Sequence, residues 1–202
     1  MEQQGATHQF ILASASPRRR ELLQRVGVAF VVVPSDTPET PRPGELPRAY
    51  ALRVAEEKAR DVARKHPGAW VLGADTIVEI DGEVLGKPWD EEDGRRMLRR
   101  LSGRTHHVMT AFVLCDRAGQ VHTRQIVTSR VTFTPLTEAQ IRAYLATGEP
   151  FDKAGAYAVQ GLGASLVERV EGSYTNVVGL PMDEVQDALR TAGLLNPQEA
   201  RQ

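Results

Sequence analysis

The run Trp70 to Ile80 is apolar and β-branched except where Gly73-Ala74-Asp75-Thr76 interrupts it, and it ends on Asp81-Gly82. No other feature restricts the fold as much. A run this apolar reads as a strand covered on both faces. Asp-Gly behind it suits a type I′ turn, so Glu83 to Leu85 must return antiparallel before Gly86-Lys87-Pro88 breaks the strand. Thr105 to Cys115 and Val121 to Thr134, joined at Asp116-Arg117-Ala118-Gly119, make the same demand. Phe10 to Ala13, Ala29 to Val33 and Leu166 to Val170 read as further strands.

Helices fall between them. One runs from Ser16 to Val26 and stops at Gly27; a second runs from Pro47 to Lys65; a third, capped by Asp90, reaches Leu101. A capping box, Thr137-Glu138-Ala139-Gln140, opens a fourth, and Gly179-Leu180-Pro181 leads into the last. Alternating strands and helices with antiparallel hairpins predict an α/β fold on a mixed sheet. No repeat or linker divides the chain, so residues 1–202 read as a single domain, with 1–9 and 196–202 expected to fray.

Twenty-five basic against 26 acidic residues leave no bulk attraction to nucleic acid. The single cysteine, Cys115, cannot form an internal disulfide, which fits a reducing compartment. The first nine residues are polar with no apolar stretch behind a basic start, and no apolar run approaches the roughly 18 residues of a membrane span. These observations together predict a soluble cytoplasmic protein. Cys115 sits mid-strand without an obvious base, and His106 and His107 point to opposite strand faces, so neither cysteine nor histidine suggests catalysis or a metal centre.

Residues that break the pattern carry the functional signal. At Ser14-Ala15-Ser16-Pro17-Arg18-Arg19, Ser16 can cap a helix whose first turn leaves backbone N–H groups free, and Pro17 fits its first position. Arg18 and Arg19 oppose the helix dipole there, so the stretch is either an ordinary capped helix with solvated arginines or an anion site. On the second helix Leu52, Ala55, Ala59, Val62 and Ala63 form an apolar arc, widened by Ala51 and Val54. Lys58 falls inside it, either snorkelling past the core edge or reaching an anion in a cleft.

An ionised Asp75 in a doubly covered strand must be paired or bind a metal, unless it caps a neighbouring element. Counting back from the hairpin turn brings Lys87 level with Asp75 and Thr76. The proline-rich stretch from Pro34 to Pro47 must be a loop, and Asp36 and Glu39 are its first acids. Arg95, Arg96, Arg99 and Arg100 read as a solvated helix face. Residues 152–163 are too rich in glycine and alanine for a second core, but they allow close approach of backbone to a ligand, with Lys153 and Gln160 offering a charge and an amide.

Several cations around a small number of acids match a metal-bound polyphosphate, whose roughly four negative charges need sharing. No Walker A loop, kinase loop or hydrolase elbow is present, so attack by an activated water is the economical chemistry.

Ser14-Ala15-Ser16-Pro17-Arg18-Arg19, Glu57-Lys58-Ala59, Gly73-Ala74-Asp75-Thr76, Gly86-Lys87-Pro88, Leu101-Ser102-Gly103, Asp152 to Tyr157, and Gly172-Ser173-Tyr174 through Val177 to Pro181 together resemble the Maf family of nucleoside triphosphate pyrophosphatases. The resemblance implies two lobes around a nucleotide cleft, as in inosine triphosphate pyrophosphatases, and cleavage of a nucleoside triphosphate to monophosphate and pyrophosphate with Mg²⁺ or Mn²⁺. It implies Asp75 as proton acceptor and metal ligand, with Glu39 as the second carboxylate. Ser14, Ser16, Arg19, Lys58 and Lys87 would hold phosphates. Arg18, Thr76 and Gln160 resemble the branch acting on dTTP and UTP rather than the branch acting on 7-methyl-GTP. Damaged purines and a non-catalytic nucleotide sensor of cell division are the alternatives, and the family suggests a homodimer.

Overall fold

The computed structural model describes residues 10–195. The fraying expected at 1–9 and 196–202 lies outside the described residues. Among the described residues, seven strands form one mixed sheet. β1 (Phe10–Leu12) runs parallel to β2 (Val31–Val32) on one side and to the start of β3 (Trp70–Ile80) on the other. Asp81 and Gly82, at φ 56° and 80°, turn the chain into β4 (Glu83–Leu85), antiparallel to the end of β3. The other edge of β3 pairs with β5 (Thr105–Cys115), followed by β6 (Val121–Phe133) and β7 (Val167–Glu171), all antiparallel. The mixed sheet is as the two hairpin signals require.

Six α-helices among the described residues cover it: α1 (Pro17–Gln24), α2 (Pro47–Lys65), α3 (Glu91–Leu101), α4 (Glu138–Leu145), α5 (Tyr174–Val178) and α6 (Met182–Thr191). α2 lays Ala51, Val54, Ala55, Ala59 and Val62 on Val71, Ile77, Ala111 and Val113. On the opposite face Leu22 and Leu23 of α1 and Val185 and Leu189 of α6 pack on Leu72 and Phe112. Further along that face α3 and α4 bury Met97, Leu98, Leu101, Ile141 and Leu145 against Val78, Val108 and Phe133. The α3 arginines all meet acids, Arg95 with Glu91, Arg96 with Asp93, Arg99 with Glu138 and Arg100 with Glu83, so this face is charge-compensated.

Some expectations change. α1 ends at Gln24 rather than Val26, because Val26 and Gly27 donate to Leu23 and Gln24 and tighten the last turn to three residues. β2 is only Val31–Val32, half exposed at the sheet edge, with Pro34 unable to extend the ladder. Leu52 sits at the margin of the α2 arc and is only partly buried, whereas Tyr50 is buried. The glycine- and alanine-rich stretch forms 3-10 helices at Glu149–Asp152, Ala154–Ala156 and Gly161–Leu166, and buries Ala156, Tyr157 and Leu166 with the α3 and α4 core. α5 had no legible signal, since five residues are too few to display a helical period.

The site depends on a notch in the sheet. β1 pairs with Trp70, Val71 and Leu72, and β4 with Val78, Glu79 and Ile80. Both lie on the edge of β3 away from β5, so among the described residues no strand pairs with Gly73 to Ile77 on that side.

Candidate active site

The notch lets side chains from both faces of β3 reach one cleft. Asp75 leaves the strand on the α2 face and Thr76 on the α1 face, and both line a cavity of about 350 Å³. The same cavity is lined by Ser14, Ser16, Arg18 and Arg19 at the entry to α1, by Glu39 from the proline-rich loop, by Lys58 from α2, by Lys87 beyond β4, and by Lys153 and Gln160 from the 3-10 segment. Asp36 is elsewhere: its carboxylate is solvent-exposed, 3.7 Å from Lys65.

Lys58 is at the centre of the charged cluster. It is buried, and its Nζ lies 2.8 Å from Asp75 Oδ1 and 2.7 Å from Glu39 Oε1. Of the two readings of this lysine, the structure selects the one that points into the cleft. Lys87 Nζ is 4.0 Å from the other Glu39 oxygen. The loop that delivers Glu39 is fastened to α2: Tyr50 Oη donates to the Glu39 carbonyl at 3.0 Å, and Arg53 donates to both Glu45 oxygens and to the Thr40 carbonyl.

The two carboxylates differ in electrostatic state. Burial pushes the Asp75 carboxyl above its ordinary range, against the pull of Lys58 and Arg19. Burial also acts upward on Glu39, but Lys58, with help from Lys87 and Arg19, outweighs it and holds that carboxyl low. A pair of carboxylates driven apart in this way can divide its roles, one moving a proton and one staying ionised.

Arg19 resolves the conflict with the helix dipole in its own way. Its guanidinium is buried and donates to Gly179 O at 2.9 Å, Ser14 Oγ at 3.1 Å, Ala74 O at 3.0 Å and Thr76 Oγ1 at 2.9 Å. Four of the five N–H groups of an arginine are thereby committed to protein, one of them to the bare edge of β3. Arg19 therefore ties α1, the notch and the loop after α5 together, and one N–H is left for a ligand. Arg18 is partly exposed at the cleft mouth. Cys115 is fully buried with its thiol pushed up to about 11 by burial, so it is unreactive.

A family model described as Maf-like protein matches residues 9–192. The chain belongs to this family. Among Maf-like relatives, one from Geobacter sulfurreducens is 54% identical over 185 residues, covering 92% of this chain and 97% of its own length. One from Myxococcus xanthus is 53% identical over 190 residues, covering 94% and 95%. One from Geobacter metallireducens is 52% identical over 185 residues, covering 92% and 96%. Each of these relatives bears the name dTTP/UTP pyrophosphatase.

Three residues behind the Maf-like cleft were not found from the sequence. Thr110 lies directly opposite Thr76 across the β3–β5 ladder, and their hydroxyls are 2.9 Å apart. Asn176, fully buried at the start of α5, donates to Val108 O and Ser129 Oγ and accepts from Thr110 N. Glu149 accepts from Gly163 N at 2.9 Å, Leu162 N at 3.1 Å and Tyr144 Oη at 2.8 Å, anchoring the segment that carries Gln160. A threonine in a strand, an asparagine in a short turn and a glutamate beside a proline look ordinary in sequence. Only the fold reveals their partners.

Proposed function

We propose that this chain hydrolyses dTTP and UTP to the nucleoside monophosphate and pyrophosphate. The observation that carries this reading is the buried Asp75, poised beside Lys58 in a cleft ringed by cations; the names of relatives above 50% identity support the substrate class.

In this reading Asp75 takes the proton of a water that attacks the α-phosphorus, and its burial makes it a stronger base than an ordinary aspartate. Lys58 and Lys87 balance charge along the phosphates, and Ser14 and Ser16 hold phosphate oxygens beside the N-terminus of α1. Arg18, Thr76 and Gln160 line the cleft where a base and sugar would be selected.

Among the described residues no three metal-ligating side chains converge. The donor set still fits a hard divalent ion, because Asp75 and Glu39 offer carboxylate oxygens already gathered around one cation, Lys58. Mg²⁺ or Mn²⁺ is commonly held by one or two carboxylates with phosphate and water oxygens completing the shell. Such an ion would neutralise charge developing on the triphosphate. Among the described residues no helix is long and apolar enough to cross a membrane.

The test is pyrophosphate release by the purified protein from a panel of nucleoside triphosphates. dTTP and UTP should be cleaved in preference to purine and 7-methyl-GTP substrates. Binding of dTTP with no pyrophosphate released would instead make the chain a sensor.

A further inference from the structure

Hydroxyl groups in the cleft have their hydrogen-bond polarity set by what stands behind them. Thr110 Oγ1 lies 2.8 Å from the main-chain oxygen of Asn176, and two oxygens that close require a proton between them. A carbonyl owns none, so the single hydroxyl proton of Thr110 points at Asn176. Thr110 Oγ1 is also 2.9 Å from Thr76 Oγ1, and the proton in that contact must therefore come from Thr76. Thr76 in turn accepts from Arg19 Nη2 at 2.9 Å. A hydroxyl has one proton and two lone pairs, so what Thr76 has left for the cleft is one lone pair.

Ser14 carries the opposite polarity. Its oxygen accepts from Arg19 Nη1 at 3.1 Å and from Ser16 N at 3.2 Å, which occupies both lone pairs and leaves its proton free. A phosphate oxygen offers only lone pairs. It suits Ser14 and is repelled by Thr76, and a metal ion at Thr76 would face the Arg19 guanidinium.

We propose that Thr110 is a positioning residue that locks the Thr76 hydroxyl as an acceptor, so this part of the cleft selects an N–H or O–H donor on the nucleoside. The inference rests on the pyrimidine nucleotide reading given above. Two donors are shared by dTTP and UTP: the N3–H of the base and the 3′-hydroxyl of the sugar. Cytosine lacks the first, because its N3 is an acceptor.

The test compares kcat/KM for dTTP, N3-methyl-dTTP and 3′-deoxy-dTTP in the wild-type protein and in Thr110→Val and Thr110→Ser. In wild type, whichever analogue lacks the donor read by Thr76 should lose about tenfold or more relative to dTTP. Thr110→Val removes the acceptor for the Thr76 proton, which can then turn into the cleft, and the ratio between dTTP and that analogue should collapse toward one. Thr110→Ser restores the acceptor and should keep the wild-type ratio, an outcome that a purely structural role for Thr110 does not require. Equal handling of all three substrates by wild type overturns the proposal without any variant having to fold. A Thr110→Val protein that keeps the wild-type ratio overturns it too. Absence of pyrophosphate release from dTTP in wild type removes the underlying nucleotide reading as well.

Discussion

Gly73 lies so close to Ala59 that a methyl group built on it would sit 2.6 Å from the Ala59 amide nitrogen. The Ala55 carbonyl oxygen would be equally near. Both are backbone atoms of α2, so neither can rotate away. The missing side chain lets α2 lie against β3 at the level where Lys58 meets Asp75. Gly73→Ala should push the two elements apart, lower stability by about 1–3 kcal/mol and reduce turnover through a displaced Lys58. Thermal melting together with pyrophosphate release checks both halves, and a variant with wild-type values would show that the close approach is immaterial.

Asp75→Asn should keep nucleotide binding while lowering kcat by about 10² to 10⁴, the usual contribution of a general base. Unchanged turnover would remove Asp75 from the reaction.

Lys58→Met leaves the buried Asp75 charge without its nearest cation, which should cost about 3–5 kcal/mol of stability. Combining it with Asp75→Asn removes the orphaned charge, so the double variant should regain much of that loss. A double-mutant cycle from denaturant unfolding measures the coupling, and strictly additive losses would contradict a paired state.

His106 is buried with Nε2 2.7 Å from Tyr157 Oη, and burial, with a smaller effect of His107, lowers its pKa to about 4 from the ordinary 6.5. Between those values the unfolded chain binds a proton that the folded chain excludes. Stability should therefore fall by about 3 kcal/mol as pH drops from 6.5 to about 4. Melting curves across that range should show a steeper decline in wild type than in His106→Gln, which has nothing to protonate. Parallel declines would place the acid sensitivity elsewhere.

Glu149→Gln puts an amide donor where three protein donors converge, so at least one loses its acceptor. The cost should be about 1–3 kcal/mol, and the loosened Gln160 segment should raise KM for dTTP with little change in kcat. An effect confined to kcat would argue against a role in shaping the nucleotide end of the cleft.

Much was decided locally and was therefore open to reading in the chain. The β3–β4 hairpin follows from Asp81-Gly82, the α2 face from its apolar spacing, and the α4 cap from Thr137 and Gln140, because each depends on neighbours a few residues away. Lys58 stood out as a charge within an apolar arc, and Asp75 as an acid in a strand covered on both sides. Tertiary structure alone decided that β1 and β4 occupy one edge of β3 and leave the notch between them. It also decided that Arg19 is turned onto Ala74 and Gly179, and that Thr76, Thr110 and Asn176 form one chain of hydrogen bonds. Those contacts join residues from 34 to 160 positions apart. Periodicity and capping report only on the near neighbourhood, so the polarity of the cleft could emerge only when the strands closed around it.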